Sequence, residues 1–127
     1  MIGCNLAGIQ SIDYNFEFGS GEEVVVHHDE KWDKGNEKAL AIKLDGFTIG
    51  YIPLLSSIQA RMDCAEEFKN REAWLKHRDI KSAVEAVRFA VIQDMFENHL
   101  TVTGNIYRVV KDDDGKVLSI GVVFDYM

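Results

Sequence analysis

Ala39-Leu40-Ala41-Ile42-Lys43-Leu44-Asp45-Gly46-Phe47-Thr48-Ile49-Gly50-Tyr51-Ile52-Pro53 is the stretch on which the fold turns. Two largely apolar runs flank Asp45-Gly46. Both of these residues tolerate a positive φ, so the segment predicts a tight hairpin between strands at 39–44 and 47–52. Pro53 has no amide hydrogen to give to a ladder and ends the second strand. Upstream, Glu23 to His28 is β-branched and predicts a half-buried strand. Weaker alternation predicts strands at Asn5–Ile12 and Tyr14–Phe18, with Gly19-Ser20-Gly21 as a turn after them. The front of the chain, 5–53, therefore reads as strands.

The period then changes. Leu55, Ile58, Met62, Ala65 and Phe68 recur at helical spacing, and Trp74 and Leu75 follow a charged stretch read as a break. Asp79 is expected to cap a second helix. Its apolar stripe is Ile80, Ala83, Val84, Val87, Val91 and Met95, widened by Phe89, Ile92 and Phe96, and Asn98 or His99 ends it. The two helices occupy about 54–97. From 100 to 126 the pattern returns to strands around an Asp112-Asp113-Asp114-Gly115 turn, a C-terminal hairpin. The resulting class is α+β: a small curled sheet or barrel carrying two helices.

The chain has 127 residues, 46% hydrophobic, 28% charged and 10% aromatic, as in one globular domain over 1–127. No apolar run approaches the roughly 20 residues of a membrane span. No signal peptide is expected, and a reducing cytoplasm is the expected compartment. Cys4 and Cys64 are too far apart for a zinc or redox motif, and both are expected to be buried as small hydrophobes. No cofactor is expected. The net charge is −7, and residues 1–53 carry nine acids against four lysines and no arginine. That balance disfavours long-range attraction to nucleic acid or to an anionic membrane. An anion site in this half has to be built from lysines, amides or polar groups.

Ala39-Leu40-Ala41-Ile42 and Gly46-Phe47-Thr48-Ile49-Gly50-Tyr51-Ile52-Pro53 resemble the Ala-Ile-x-Val and Gly-x-x-Ile-Gly-Tyr-Val-Pro strands of the HIRAN family. Asn5-Leu6-Ala7-Gly8-Ile9 is similar to that family's opening Val-x-Gly-Val strand. The resemblance covers about residues 5–53. It implies a small barrel of oligonucleotide-binding (OB- or SH3-like) character, and a non-enzymatic module for single-stranded DNA or DNA 3′ ends. Two departures fall on the residues that touch DNA in the family. The family's Asn-Pro-x-Asp stands here as Asp33-Lys34-Gly35-Asn36, and its paired tyrosines as Gln10-Ser11-Ile12-Asp13.

Lys31-Trp32-Asp33-Lys34-Gly35-Asn36 is the best candidate surface. Trp32 offers a base a stacking face, Lys31 and Lys34 can meet phosphates, and Asn36 can bond a sugar or base edge. On the alternative reading, Asp33 and Asn36 bond their own backbone while Trp32 covers the core edge. Tyr51 lies beside Gly50, where a strand glycine admits a close backbone or ligand, or marks curvature. His27 and His28 point to opposite faces of a strand and cannot easily share a metal. Arg61, Arg71, Arg78 and Arg88 are interleaved with acids and read as a solvated face. Nothing forms a catalytic set.

The expected function is thus nucleic-acid binding through Trp32, Asp33, Lys34, Asn36 and Tyr51, weakening as salt rises. The alternative is an acidic protein-interaction or adaptor domain that keeps the fold without DNA binding, with a protein partner; no membrane is expected to be involved.

Overall fold

The computed structural model describes residues 1–9, 19–67 and 69–126. Among these residues six strands and two helices follow in the order β1 (Ile2–Asn5), β2 (Glu23–His28), β3 (Leu40–Leu44), β4 (Phe47–Tyr51), α1 (Leu55–Glu67), α2 (Arg71–Ile92), β5 (Thr103–Lys111) and β6 (Val117–Phe124). All six strands join one antiparallel sheet in the order β1-β6-β5-β2-β3-β4. No helix among the described residues is long and apolar enough to cross a membrane.

The hairpin that decides the fold forms as its residues predict. Asp45 and Gly46 take φ values of 50° and 84°, which turns β3 tightly into β4. The register slips one residue between Ile42 and Lys43: Ile42 faces Gly50 and Lys43 faces Thr48. Such a bulge bends the strand and increases its twist. The bend carries β4 toward the segment after β1, and Ala7 and Tyr51 exchange both backbone hydrogen bonds at 2.8 Å. Leu6 N–H donates to Ile120 O in β6 at 2.8 Å. The sheet is therefore curled until its two edge strands are bridged by Leu6-Ala7.

Gly50 makes that approach possible. A Cβ there would stand 3.0 Å from both Ala7 O and Leu6 Cβ. What comes close to this strand glycine is the chain's own backbone.

The concave face and the helices enclose one core of Leu6, Val24, Val26, Leu40, Ile42, Ile49, Ile52, Ile58, Met62, Val84, Val87, Val91, Val102, Ile106, Ile120, Val122 and Phe124. Alternation in β2 sends Val24 and Val26 inward and leaves Val25 and His27 exposed.

Several expectations shift. The first strand runs over Ile2–Asn5, paired with β6 from Ile2↔Phe124 to Asn5↔Gly121, instead of starting at Asn5. Residues 10–12 of that expected strand, the strand at Tyr14–Phe18, the Gln10–Asp13 departure and Phe68 lie outside the described residues. The second helix starts at Arg71. Lys69 has a φ of 57° and breaks the chain direction, and Asn70 caps the helix by accepting from Ala73 N–H at 3.2 Å. Asp79 thus lies inside α2.

Phe89 does not widen the buried stripe but is 73% exposed. It follows Val87 by two residues, a turn of about 200° around the helix. The α-helix passes into a π turn at Gln93–Glu97, and His99 (φ 53°) redirects the chain into β5. Cys4 is buried, its thiol pushed up to about 12 by desolvation, whereas Cys64 is exposed. Asp112 closes the last hairpin by accepting from Asp114 and Lys116 N–H.

Arg88 departs furthest from expectation. It is buried in α2, where Nη2 donates to Lys38 O at 2.6 Å and Nη1 to Pro53 O at 3.3 Å. Instead of standing on a solvated face, it fastens both ends of the β3–β4 hairpin to the helix.

Candidate functional site

The loop from β2 to β3 carries most of the candidate residues, and it is pinned at its base. Asp29 N–H donates to Ala39 O at 2.9 Å, and a 3-10 turn over Glu30–Trp32 follows. Asp33 turns inward: Oδ1 accepts from Ala39 N–H at 2.7 Å, and His28 Nε2 lies 2.9 and 3.0 Å from its two oxygens. These bonds hold the Asp33 carboxyl below its ordinary range, the Ala39 amide contributing most and His28 and Lys38 adding to it. One carboxylate therefore ties the end of β2 to the start of β3 across the loop. His28 in turn meets Phe96 of the π turn edge-on, 5.1 Å between ring centres.

Lys34 and Glu37 exchange backbone bonds at 3.0 Å around Gly35, whose φ of 59° the absent Cβ permits. The tip Lys34-Gly35-Asn36 is exposed. Glu37 reaches away from it, and its Oε1 accepts from Ser56 N–H at 2.9 Å in the first turn of α1.

Trp32 is the residue this loop presents. It is 61% exposed and does not cover the core, with Lys31 Nζ 5.8 Å from its ring centre. The two readings of the loop thus divide between neighbouring residues: Asp33 bonds the protein's own backbone, and Trp32 faces outward. Tyr51 is half-buried. Its hydroxyl donates to Asp29 Oδ2 at 2.9 Å, and burial together with that carboxylate raises its pKa.

Trp32 and Tyr51 line the same groove, of about 1000 Å³. Its walls come from the Cys4–Ile9 segment, from Ile52 to Leu54 after β4, from α1 with Ile58 and Arg61, and from α2 with Asp79, Ile80 and Val84. Tyr107 and Leu118, from the outer side of the last hairpin, line it as well. Lys34 and Asn36 are not among the lining residues. The groove is mostly apolar rather than a continuous positive channel. Tyr107 and Arg61 carry no site signal in the sequence, where Arg61 reads as one of four arginines on a solvated face. Tyr107 reads as one more alternating strand residue, and its place depends on Gly121 in the partner strand.

Among the described residues no group of three or more His, Cys, Asp or Glu stands together to hold a metal ion. Comparison with models of protein families, with curated proteins and with solved structures gives no match.

Proposed function

We propose that the protein is a non-enzymatic, HIRAN-like binding module that takes the unpaired end of a DNA strand. The reading is carried by one observation: an exposed tryptophan on a pinned loop, at the rim of a groove large enough for a ligand. Pinning lowers the ordering cost of the platform on which a base stacks. Stacking on an aromatic face is sequence-tolerant and contributes about 1–3 kcal/mol per base. Lys31 and Lys34 flank Trp32 and supply local positive charge in an acidic protein. In this account Asp33 holds the loop in shape, and Tyr51 is a wall of the groove.

A second reading, an acidic protein-interaction domain, is supported by the same groove's apolar walls, since aromatic and aliphatic clefts also receive protein segments.

Fluorescence anisotropy with labelled single-stranded oligonucleotides, the 3′ hydroxyl free or blocked, separates the two. Binding that is lost on Trp32→Ala and on blocking the 3′ end supports the end-binding module. Absence of binding at low salt refutes it and leaves the protein-interaction reading.

A further inference from the structure

Among the described residues three aromatic side chains line the groove, and they are not equally free to receive a ligand. Tyr51 is committed: its hydroxyl is bonded to Asp29, and its ring lies against Gly8, where a Cβ would come within 3.3 Å of Cδ1. Tyr107 is 47% exposed, and its ring fills the space above Gly121 of β6. A Cβ on Gly121 would stand 2.5 Å from Tyr107 Cε1 and 2.7 Å from Cζ. The glycine thus lets the ring lie on the strand backbone while much of it stays open. Among the described residues Trp32 and Tyr107 are the two large exposed aromatic surfaces of the groove.

Its charges are as uneven. Among the described residues Arg61 is the only lining cation, and it makes no ion pair or side-chain hydrogen bond with them. Asp79, the only lining carboxylate among the described residues, lies 3.4 Å from Arg78 Nη2. A single unengaged guanidinium beside apolar walls suits one phosphate and not a polyanion track.

Building on the single-strand reading above, we infer that Tyr107 is the second stacking face of the groove and Arg61 its phosphate contact. The ligand is then a short unpaired stretch of nucleic acid, with bases on Trp32 and Tyr107 and one phosphate on Arg61. Interior base pairs of a duplex cannot offer their faces to either ring, so a duplex competes weakly for the groove.

The test is anisotropy with a labelled oligothymidylate of about ten nucleotides, within the span single-strand sites cover, across a salt series. Urea midpoints of each variant establish that it is folded. Tyr107→Leu keeps an apolar cover on Gly121 without a π face and weakens binding about 5- to 150-fold. Tyr107→Phe keeps the π face and restores the binding lost in Tyr107→Leu, and Phe89→Leu, on the exposed side of α2 and outside the groove, binds as the parent does. Arg61→Gln flattens the slope of log affinity against log salt by about 0.7.

If the parent binds and both Tyr107→Leu and Arg61→Gln match it in affinity and salt slope, this inference fails while the single-strand reading stands. If the parent does not bind, both fail. Should Tyr107→Leu not fold, the salt slope of Arg61→Gln decides alone.

Discussion

Arg88 gives the sharpest test of how this fold is held. It is 4% exposed on a helix face otherwise built from Val84, Val87 and Val91. Its guanidinium spans Lys38 O at 2.6 Å and Pro53 O at 3.3 Å, one carbonyl before β3 and one after β4. Burial pulls its pKa down, and the charges of Glu37 and Asp33 act against that pull.

Arg88→Met keeps most of the aliphatic stem and removes the fork. The short charged bond is worth about 1.5–3 kcal/mol and the long one about 0.5 kcal/mol, and two half-buried carbonyls lose their donor. Relief of the buried charge offsets part of this, leaving an expected loss of about 3 kcal/mol. With m of about 2 kcal/mol/M, the urea midpoint falls by about 1.5 M at unchanged m. The melting temperature falls by about 10 °C. Arg88→Lys can reach one carbonyl only and loses about half as much. Urea unfolding followed by tryptophan fluorescence measures both variants. Arg88→Met within about 0.5 kcal/mol of the parent, the range of an ordinary surface substitution, refutes the clamp.

Further outcomes follow from the same contacts. The Asp33 carboxyl sits below its unfolded pKa, so its bonds stabilise the loop above about pH 4 and are lost as pH falls through the folded value. The stability gap between the parent and Asp33→Asn in urea melts is therefore present at pH 7 and closes in acid; a gap that does not change with pH counts against the pin. Gly104→Ala places a Cβ 2.7 Å from Val123 O and 2.8 Å from the Phe124 ring. It is expected to cost about 1–3 kcal/mol. Gly121→Ala meets only the far end of Tyr107, which can swing away, so it is the milder of the two in thermal melts. Tyr126 donates to Asp94 Oδ2 at 2.8 Å and is pushed up to about 12 by burial and that carboxylate. Its folded pKa lies above the unfolded value of about 10, so its contribution is complete below pH 10 and fades as pH rises toward 12. In a phenol absorbance titration Asp94→Asn brings this tyrosine back toward the others.

The parts of the fold legible in the sequence are those determined by neighbouring residues. Asp45-Gly46 specifies its turn through two backbone angles, the valines of β2 show its buried face, and Leu55, Ile58 and Met62 mark α1. The start of α2 is hidden because its first residues, Arg71 and Glu72, are charged and exposed. The signal that finds it is Asn70 acting as a cap. Arg88 reads as a surface residue because the carbonyls that bury it lie 35 and 50 positions away.

The candidate loop was legible as a unit, since its polar residues and single tryptophan stand out from the strands on either side. Its division of labour was not, because whether Asp33 turns in or out depends on His28 and Ala39 across the loop. Tyr107 was hidden for a similar reason: Gly121, which leaves its ring room, belongs to another strand.

The most direct test of the central claim is an NMR titration of the labelled protein with a short single-stranded oligonucleotide at low salt. The account predicts that the Trp32 indole, the Tyr107 amide and ring, and Arg61 move together, while Phe89 on the exposed side of α2 does not. Shifts absent from these three residues, or gathered on a different surface, contradict it.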